Sequence, residues 1–284
     1  VEELHRFFSS ELAPGAPEDA RFHVIPVPYE KTVSYGGGTQ HGPAALLEAS
    51  DQLELWNGFS VPAEHGIYTQ PFVDCSGDAE SVLSRIQVAV RAALDVGGLP
   101  ILLGGEHTVT LGALRELHAE HGEFGIIQFD AHADLRDEYE GSKLSHACVM
   151  RRAVSDLGLP LFQLGVRALC EEEEQFRVEH GIPHHDGWDI GVNGISHVSL
   201  PEVFPKKVYV TFDVDGLDAS IMPATGTPVP GGIQWYQALQ LLQALLAGRQ
   251  CIGADVVELA PISGLHYCEF TAAQLCYNIM GFMR

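Results

Sequence analysis

Six short, almost unbroken apolar runs punctuate the chain: Arg21–Val27, Leu99–Leu103, Phe124–Phe129, Leu161–Gly165, Lys207–Phe212 and Cys251–Val257. A strand that is apolar on both sides must be covered on both sides. That condition belongs to parallel sheets, whose strands are joined by helical crossovers. The segments between the runs supply the crossovers: Pro43–Leu53, Ala79–Val96, Val109–His121, His146–Leu157, Glu171–His180, Gln234–Leu246 and Thr271–Phe282. Ala79–Val96 is the clearest, with Val82, Ile86, Val90 and Leu94 on one helical face and Asp78 placed to cap it. Weaker strands are expected near Gly66–Tyr68 and Gly181–His184. The alternation predicts one α/β domain over residues 1–284, three layers deep, with a mostly parallel central sheet. Residues 1–20 are polar, are broken by Pro14, Gly15 and Pro17, and read as a loosely attached N-terminal arm.

Composition narrows the partners. Apolar residues make up 46% of the 284 and charged residues 19%, enough for a large core. Lys and Arg total 16 against 38 Asp and Glu, a formal charge of −22. Phosphate backbones need clustered cations, so no nucleic-acid partner is expected, whereas a small cationic ligand suits this field. No apolar run approaches 18 residues, so no membrane partner is expected either. The six cysteines form no Cys-x-x-Cys pair and no basic-then-apolar signal segment is present, which leads us to expect a reduced, cytoplasmic protein.

Four of the apolar runs end in chemically loaded residues. Leu99–Leu103 leads into Gly104-Gly105-Glu106-His107, and Phe124–Phe129 into Asp130-Ala131-His132-Ala133-Asp134. Lys207–Phe212 leads into Asp213-Val214-Asp215, and Cys251–Val257 into Glu258. In a parallel sheet the carboxyl ends of the strands share one edge, where ligands bind, so all four endings point at one crevice. An extended backbone would place Asp130, His132 and Asp134 on one side, and Asp213 with Asp215 likewise. With His107 the crevice holds two imidazoles and four carboxylates. Anions so crowded tolerate each other only with cations between them, and two divalent ions balance four carboxylates. Imidazole and carboxylate donors without thiolate favour two Mn²⁺ over a structural zinc site. A water shared by two such ions becomes a nucleophile near neutral pH.

These motifs resemble those of the ureohydrolase family, which contains arginases and agmatinases. The matching stretches are Gly104-Gly105-Glu106-His107-Thr108, Asp130-Ala131-His132-Ala133-Asp134 and Thr211 to Asp218. Thr225-Gly226-Thr227-Pro228 with Gly231-Gly232, and Asp255-Val256-Val257-Glu258, also match. The resemblance covers about Val24 to Met280. It implies an arginase-like fold and a dimanganese centre held by His107, Asp130, His132, Asp134, Asp213 and Asp215, with Asp130 and Asp213 bridging. It implies further that Glu258 grips a guanidinium, that Thr227 lines its pocket, and that His146, in Lys143-Leu144-Ser145-His146, carries protons. A homo-oligomer, trimer or hexamer, is also implied. Glu106, Ala219 and Glu269 depart from the usual pattern, where Asp, Pro and Asp are common.

The loop Leu135-Arg136-Asp137-Glu138-Tyr139-Glu140 carries three acids against one Arg, which suits a cationic tail and so agmatine, cleaved to putrescine and urea. Aminopropylagmatine, guanidinobutyrate and arginine are alternative substrates. A mononuclear zinc-dependent acetylpolyamine deacetylase and a non-catalytic guanidine-binding protein are rival classes; the six-ligand set argues against the former, and the intact Asp130, Asp213, His146 and Glu258 against the latter. Tyr35-Gly36-Gly37-Gly38-Thr39 lacks nucleotide-cradle spacing and reads as a flexible loop near the site mouth. His184, His185 and Asp186 resemble a second metal cluster but read as solvent-facing loop residues, and Glu171–Glu174 as the first turn of a helix.

Overall fold

The computed structural model describes residues 6–283. Eight strands form one sheet: β1 (Phe22–Val27), β2 (Ile67–Thr69), β3 (Leu99–Gly104), β4 (Gly125–Phe129), β5 (Leu161–Leu164), β6 (His184–His185), β7 (Lys207–Asp213) and β8 (Gln250–Val257). Their order is β2-β1-β3-β8-β7-β4-β5-β6, and every pairing is parallel. The helices are α1 (Gly42–Ser50), α2 (Ala79–Leu94), α3 (Thr110–His121), α4 (Val149–Leu157), α5 (Glu171–Glu179), α6 (Gly187–Asn193), α7 (Trp235–Leu246) and α8 (Tyr267–Phe282).

Alternate residues of each strand feed two separate cores. Val24, Ile101, Leu103, Phe129, Val210 and Phe212 pack with residues of α1, α7 and α8. Ile25, Val27, Leu102, Ile126 and Tyr209 pack with residues of α2, α3 and α4 on the other face. This is the three-layer arrangement that the unbroken apolar runs require.

The expected strands and helices are present with shifted ends and one addition. Helix α6 was not expected, because Gly187, Gly191 and Asn193 are poor helix formers; Ile190, buried in the core, anchors it. Helix α8 starts at Tyr267, which puts Glu269 in its first turn, where a carboxylate suits the dipole. The acidic run Glu171–Glu174 opens α5 as expected.

The expectation of a loose N-terminal arm does not hold for its described part. Phe7 and Phe8 are buried, Phe8 meets the Tyr277 ring edge-on at 4.7 Å, and its N–H donates to Ser50 Oγ at 2.9 Å. Two adjacent aromatics in a polar segment find a hydrophobic seat that only the folded α1 and α8 provide. No described helix is long and apolar enough to cross a membrane.

Candidate metal centre

The strand order brings the four loaded endings together. β3, β8, β7 and β4 are consecutive neighbours in the sheet, so His107, Glu258, Asp213 and Asp130 emerge side by side at one edge. Glycines permit the close approach. A β-carbon on Gly105 would overlap the Tyr29 carbonyl, and one on Gly216 would lie 2.8 Å from the Asp130 nitrogen.

The six expected ligands converge as two groups that share Asp130. In one, His107 Nδ1 lies 3.1 Å from Asp130 Oδ2, 2.9 Å from Asp134 Oδ2 and 3.6 Å from Asp213 Oδ2. In the other, His132 Nδ1 lies 3.0 Å from Asp215 Oδ2 and 3.6 Å from Asp130 Oδ1. His107, Asp130 and Asp134, and Asp130, His132 and Asp215, have the donors and spacing to hold a metal ion each, with Asp213 beside the first.

The extended geometry expected for these motifs does not occur. Asp134 has φ of 54° and turns its carboxylate toward His107, away from the His132 group. Asp213 ends β7, and Asp215 sits in a following 3-10 turn, its N–H donating to Asp213 Oδ1 at 2.8 Å. Glu258 also has positive φ, 65°. Left-handed backbone at non-glycine residues is strained and survives where surrounding structure enforces it; here it points two carboxylates inward.

Several of the ligands are braced by groups outside the cluster. Asp255 is fully buried and accepts from Thr211 Oγ1 at 2.7 Å and from Tyr209 and Thr110, both at 2.8 Å. Thr211 spends its one proton on Asp255, so its oxygen accepts from His107 Nε2 at 2.8 Å. The His107 proton therefore sits on Nε2, and Nδ1 presents a lone pair toward three carboxylates with no hydrogen-bond partner. Asp130 accepts from Gln128 Nε2 at 2.8 Å and from the His132 N–H at 2.6 Å, and Asp215 from the Ala131 N–H at 2.9 Å.

Electrostatics repeats this message. Burial drives the Asp213 carboxyl well above its usual range, and Asp215 and Asp130 push it further. Burial and the Asp130 charge hold Asp134 up at about 7. Burial alone would lower His132, but Asp130 and Asp215 outweigh it and raise it to about 11. Carboxylates facing each other, with imidazole nitrogens aimed among them, form an arrangement that bound cations relieve. The donor set fits a pair of divalent ions.

The cleft above is lined by Ser34, Tyr35, Gly36, His146, Thr227 and Glu258. The glycine loop thus borders the site as expected, clasped by Glu30, which accepts from the Gly38 and Gln40 N–H groups at 2.8 and 2.9 Å. Glu258 Oε1 accepts the His107 N–H at 2.6 Å. Burial and Glu106 raise the Glu258 carboxyl well above its ordinary value.

Sequence reasoning missed Thr32 and expected Glu106 to act behind His107, shifting that histidine slightly; its contacts lead elsewhere. Glu106 is buried and accepts from the Lys31 and Thr32 N–H groups at 2.6 and 2.7 Å and from the Thr32 and Thr108 hydroxyls, both at 2.7 Å. Thr32, its proton given to Glu106, accepts from His146 Nδ1 at 3.1 Å. Glu106 therefore ties a loop 74 positions away in sequence to the end of β3.

The charge argument for a cationic tail needs correction. Asp137 is paired with Arg152 at 2.5 Å and Lys143 at 3.1 Å, and Glu138 and Glu140 are exposed. Arg136 instead lines an outer cavity of about 390 Å³ with Tyr139, Glu173, His146 and Thr227, its guanidinium 5.0 Å from the centre of the Tyr139 ring.

Comparison with known proteins agrees with the motifs and the fold. The Arginase family model matches residues 20–281. The chain is 40% identical to an N(1)-aminopropylagmatine ureohydrolase of Synechocystis sp., over 93% of this chain and 89% of that one. It is 32% identical to an agmatinase of Pyrococcus horikoshii, over 98% and 97%. The crystal structure of an agmatine ureohydrolase of Thermoplasma volcanium superposes with a TM-score of 0.86 at 29% identity, over 100% of this chain and 95% of that one. Sheet order, converging carboxylates and these likenesses together make the chain a member of the arginase family, a ureohydrolase acting on guanidino or amidino groups.

Proposed function

We propose that this chain is a dimanganese hydrolase that releases urea from a guanidine on a polyamine-type tail, with aminopropylagmatine ahead of agmatine. The observation that carries the reading is the continuity of two spaces. The narrow cleft over the carboxylates shares Ser34, His132, Asp134, His146 and Thr227 with the 390 Å³ outer cavity, which has room for a tail longer than that of agmatine. The names of the relatives favour the same order.

His107, Asp130, His132, Asp134, Asp213 and Asp215 would hold the two Mn²⁺, with Asp130 common to both. When bound, the pair supplies an activated water nucleophile near neutral pH and polarises the group under attack. Glu258 keeps Oε2 open to the cleft, where a carboxylate can accept paired guanidinium N–H groups. Thr227, which lines the same cleft, would offer a hydroxyl to the same planar cation. His146, its Nδ1 proton held by Thr32, has its Nε2 lone pair free to take up the proton released by the attacking water and then pass it to the departing amine. That transfer matters because an unprotonated amine is a poor leaving group.

Arg136 favours a second reading, a guanidine with a carboxylate tail such as guanidinobutyrate, because its cation lines the outer cavity. Urea release from aminopropylagmatine, agmatine, guanidinobutyrate and arginine, measured side by side with Mn²⁺, separates the two. The highest kcat/KM is expected for aminopropylagmatine; a preference for guanidinobutyrate that vanishes in Arg136→Ala would install the second reading. A homo-oligomer, trimer or hexamer, is part of the same proposal. Phe59, Tyr236 and Phe270 are exposed around one groove that such an assembly would cover, and light scattering tests it.

A further inference from the structure

Away from the cleft, one more grouping of metal-capable side chains stands out among the described residues: His185, Asp189 and His197. It is not the trio that adjacency in sequence suggests. His184 turns its Nδ1 to the Ile182 carbonyl at 2.9 Å, and Asp186 is bound to Arg177 at 2.6 Å. Only His185 faces the new partners, drawn from three places: the carboxyl end of β6, the first turn of α6, and the segment beyond that helix.

We propose that His185 Nδ1, Asp189 Oδ2 and His197 Nε2 form a separate mononuclear divalent-metal site, suited to zinc, that pins the segment after α6 to the edge strand. Both ring nitrogens already lie 2.8 Å from the same oxygen, Asp189 Oδ2. Asn193, one helical turn on, donates to the other oxygen, Oδ1, at 2.8 Å, which fixes the carboxylate plane and leaves Oδ2 for the shared centre. The imidazoles stand 5.0 Å apart, centre to centre, at 76°, so they approach the oxygen from different directions. His185 is also steadied by an edge-on contact with Phe162, at 5.9 Å between ring centres.

Where the cleft offers four carboxylates to two imidazoles, this trio offers two imidazoles to one carboxylate, a nitrogen-rich donor set that zinc accepts readily, with a solvent-facing position left over. The three side chains are 22%, 32% and 39% exposed, so an ion can enter and a water can complete its shell. Zinc bonds of about 2.0–2.1 Å place ligand atoms about 3.3 Å apart in a tetrahedron, so the trio opens by about half an ångström on binding. Each ring proton then moves to the far nitrogen. β6 is the outermost strand and only two residues long, so a cross-link there holds the weakest edge of the sheet. None of the three residues borders the cleft or its outer cavity, so the site is independent of turnover.

The test uses zinc alone as the probe, on the full chain already loaded with Mn²⁺. Wild type, Asp189→Asn and the His185→Gln/His197→Gln double variant are equilibrated with Zn²⁺, desalted and their metals counted. Zinc that replaces manganese in the cleft is common to all three. Wild type should retain one more zinc per chain than either variant, and its thermal midpoint should rise by about 5 °C with saturating zinc while the variants stay put. Zinc-edge anomalous diffraction from wild-type crystals should place the extra ion between the two imidazoles, and urea release should be the same in all three proteins. Equal zinc counts in wild type and variants, or an extra ion found elsewhere, would overturn the proposal and leave the trio a hydrogen-bonded cluster.

Discussion

Thr211 stands between His107 and Asp255, giving its proton to Asp255 at 2.7 Å and taking one from His107 Nε2 at 2.8 Å. A single hydroxyl thereby dictates which imidazole nitrogen faces the carboxylate cluster. Thr211→Val keeps the shape and removes the link. We expect metal retention to fall about 10–100-fold, the usual effect of losing such a brace. Dialysis against a graded chelator measures it; unchanged retention would remove Thr211 from the argument.

Thr32 does for His146 what Thr211 does for His107, with Glu106 in the place of Asp255. Thr32→Val should leave metal content and KM nearly unchanged and lower kcat about 10–100-fold if His146 carries the proton as proposed, because the imidazole loses its fixed tautomer. A shifted acid limb in the pH–kcat profile should accompany the loss. If KM rises instead while kcat holds, Thr32 shapes the pocket rather than the proton path.

Glu258→Gln separates binding of metal from binding of substrate. Glu258 touches the His107 N–H but belongs to neither metal group, so the variant should keep both ions by metal analysis. Turnover should fall by at least about 100-fold, since a neutral amide cannot pair with a guanidinium as a carboxylate does. Loss of metal together with activity would show that Glu258 acts on the centre itself.

Asp218 offers a pH test away from the cleft. Burial opposes its ionisation, but the Ser220 hydroxyl and the Ser220, Gly232 and Gly231 N–H groups outweigh this and lower its pKa from 3.8 to about 2. A carboxyl with a depressed folded value stabilises the fold above its unfolded value and loses that contribution as pH falls through the folded one. Wild type should therefore lose roughly 1–2 kcal/mol more between pH 4 and pH 2 than Asp218→Asn, after allowance for partial exposure. Denaturant unfolding at the two pH values checks it; parallel losses would mean the turn contributes nothing there.

Phe8 tests the anchoring of the amino-terminal segment. It is fully buried against Tyr277, so Phe8→Ala should cost about 3–5 kcal/mol in unfolding experiments. A cost near zero would restore the loose arm that its polar neighbours suggest.

The layering, the parallel sheet and the six carboxylates and imidazoles at its edge are written locally. Unbroken apolar runs such as Ile101–Leu103 admit no one-sided burial, and Asp130, His132 and Asp134 announce themselves by spacing. What tertiary structure alone decided is everything that depends on which strand lies beside which. The order β3-β8-β7-β4 makes neighbours of residues far apart in sequence, such as Glu258 and His107, 151 positions apart. The left-handed turns at Asp134 and Glu258, the docking of Phe8, and the meeting of His185 with His197 have the same origin. Local sequence sets which conformations are cheap; only packing across the sheet supplies the energy to hold the costly ones, and it holds them where the carboxylates converge.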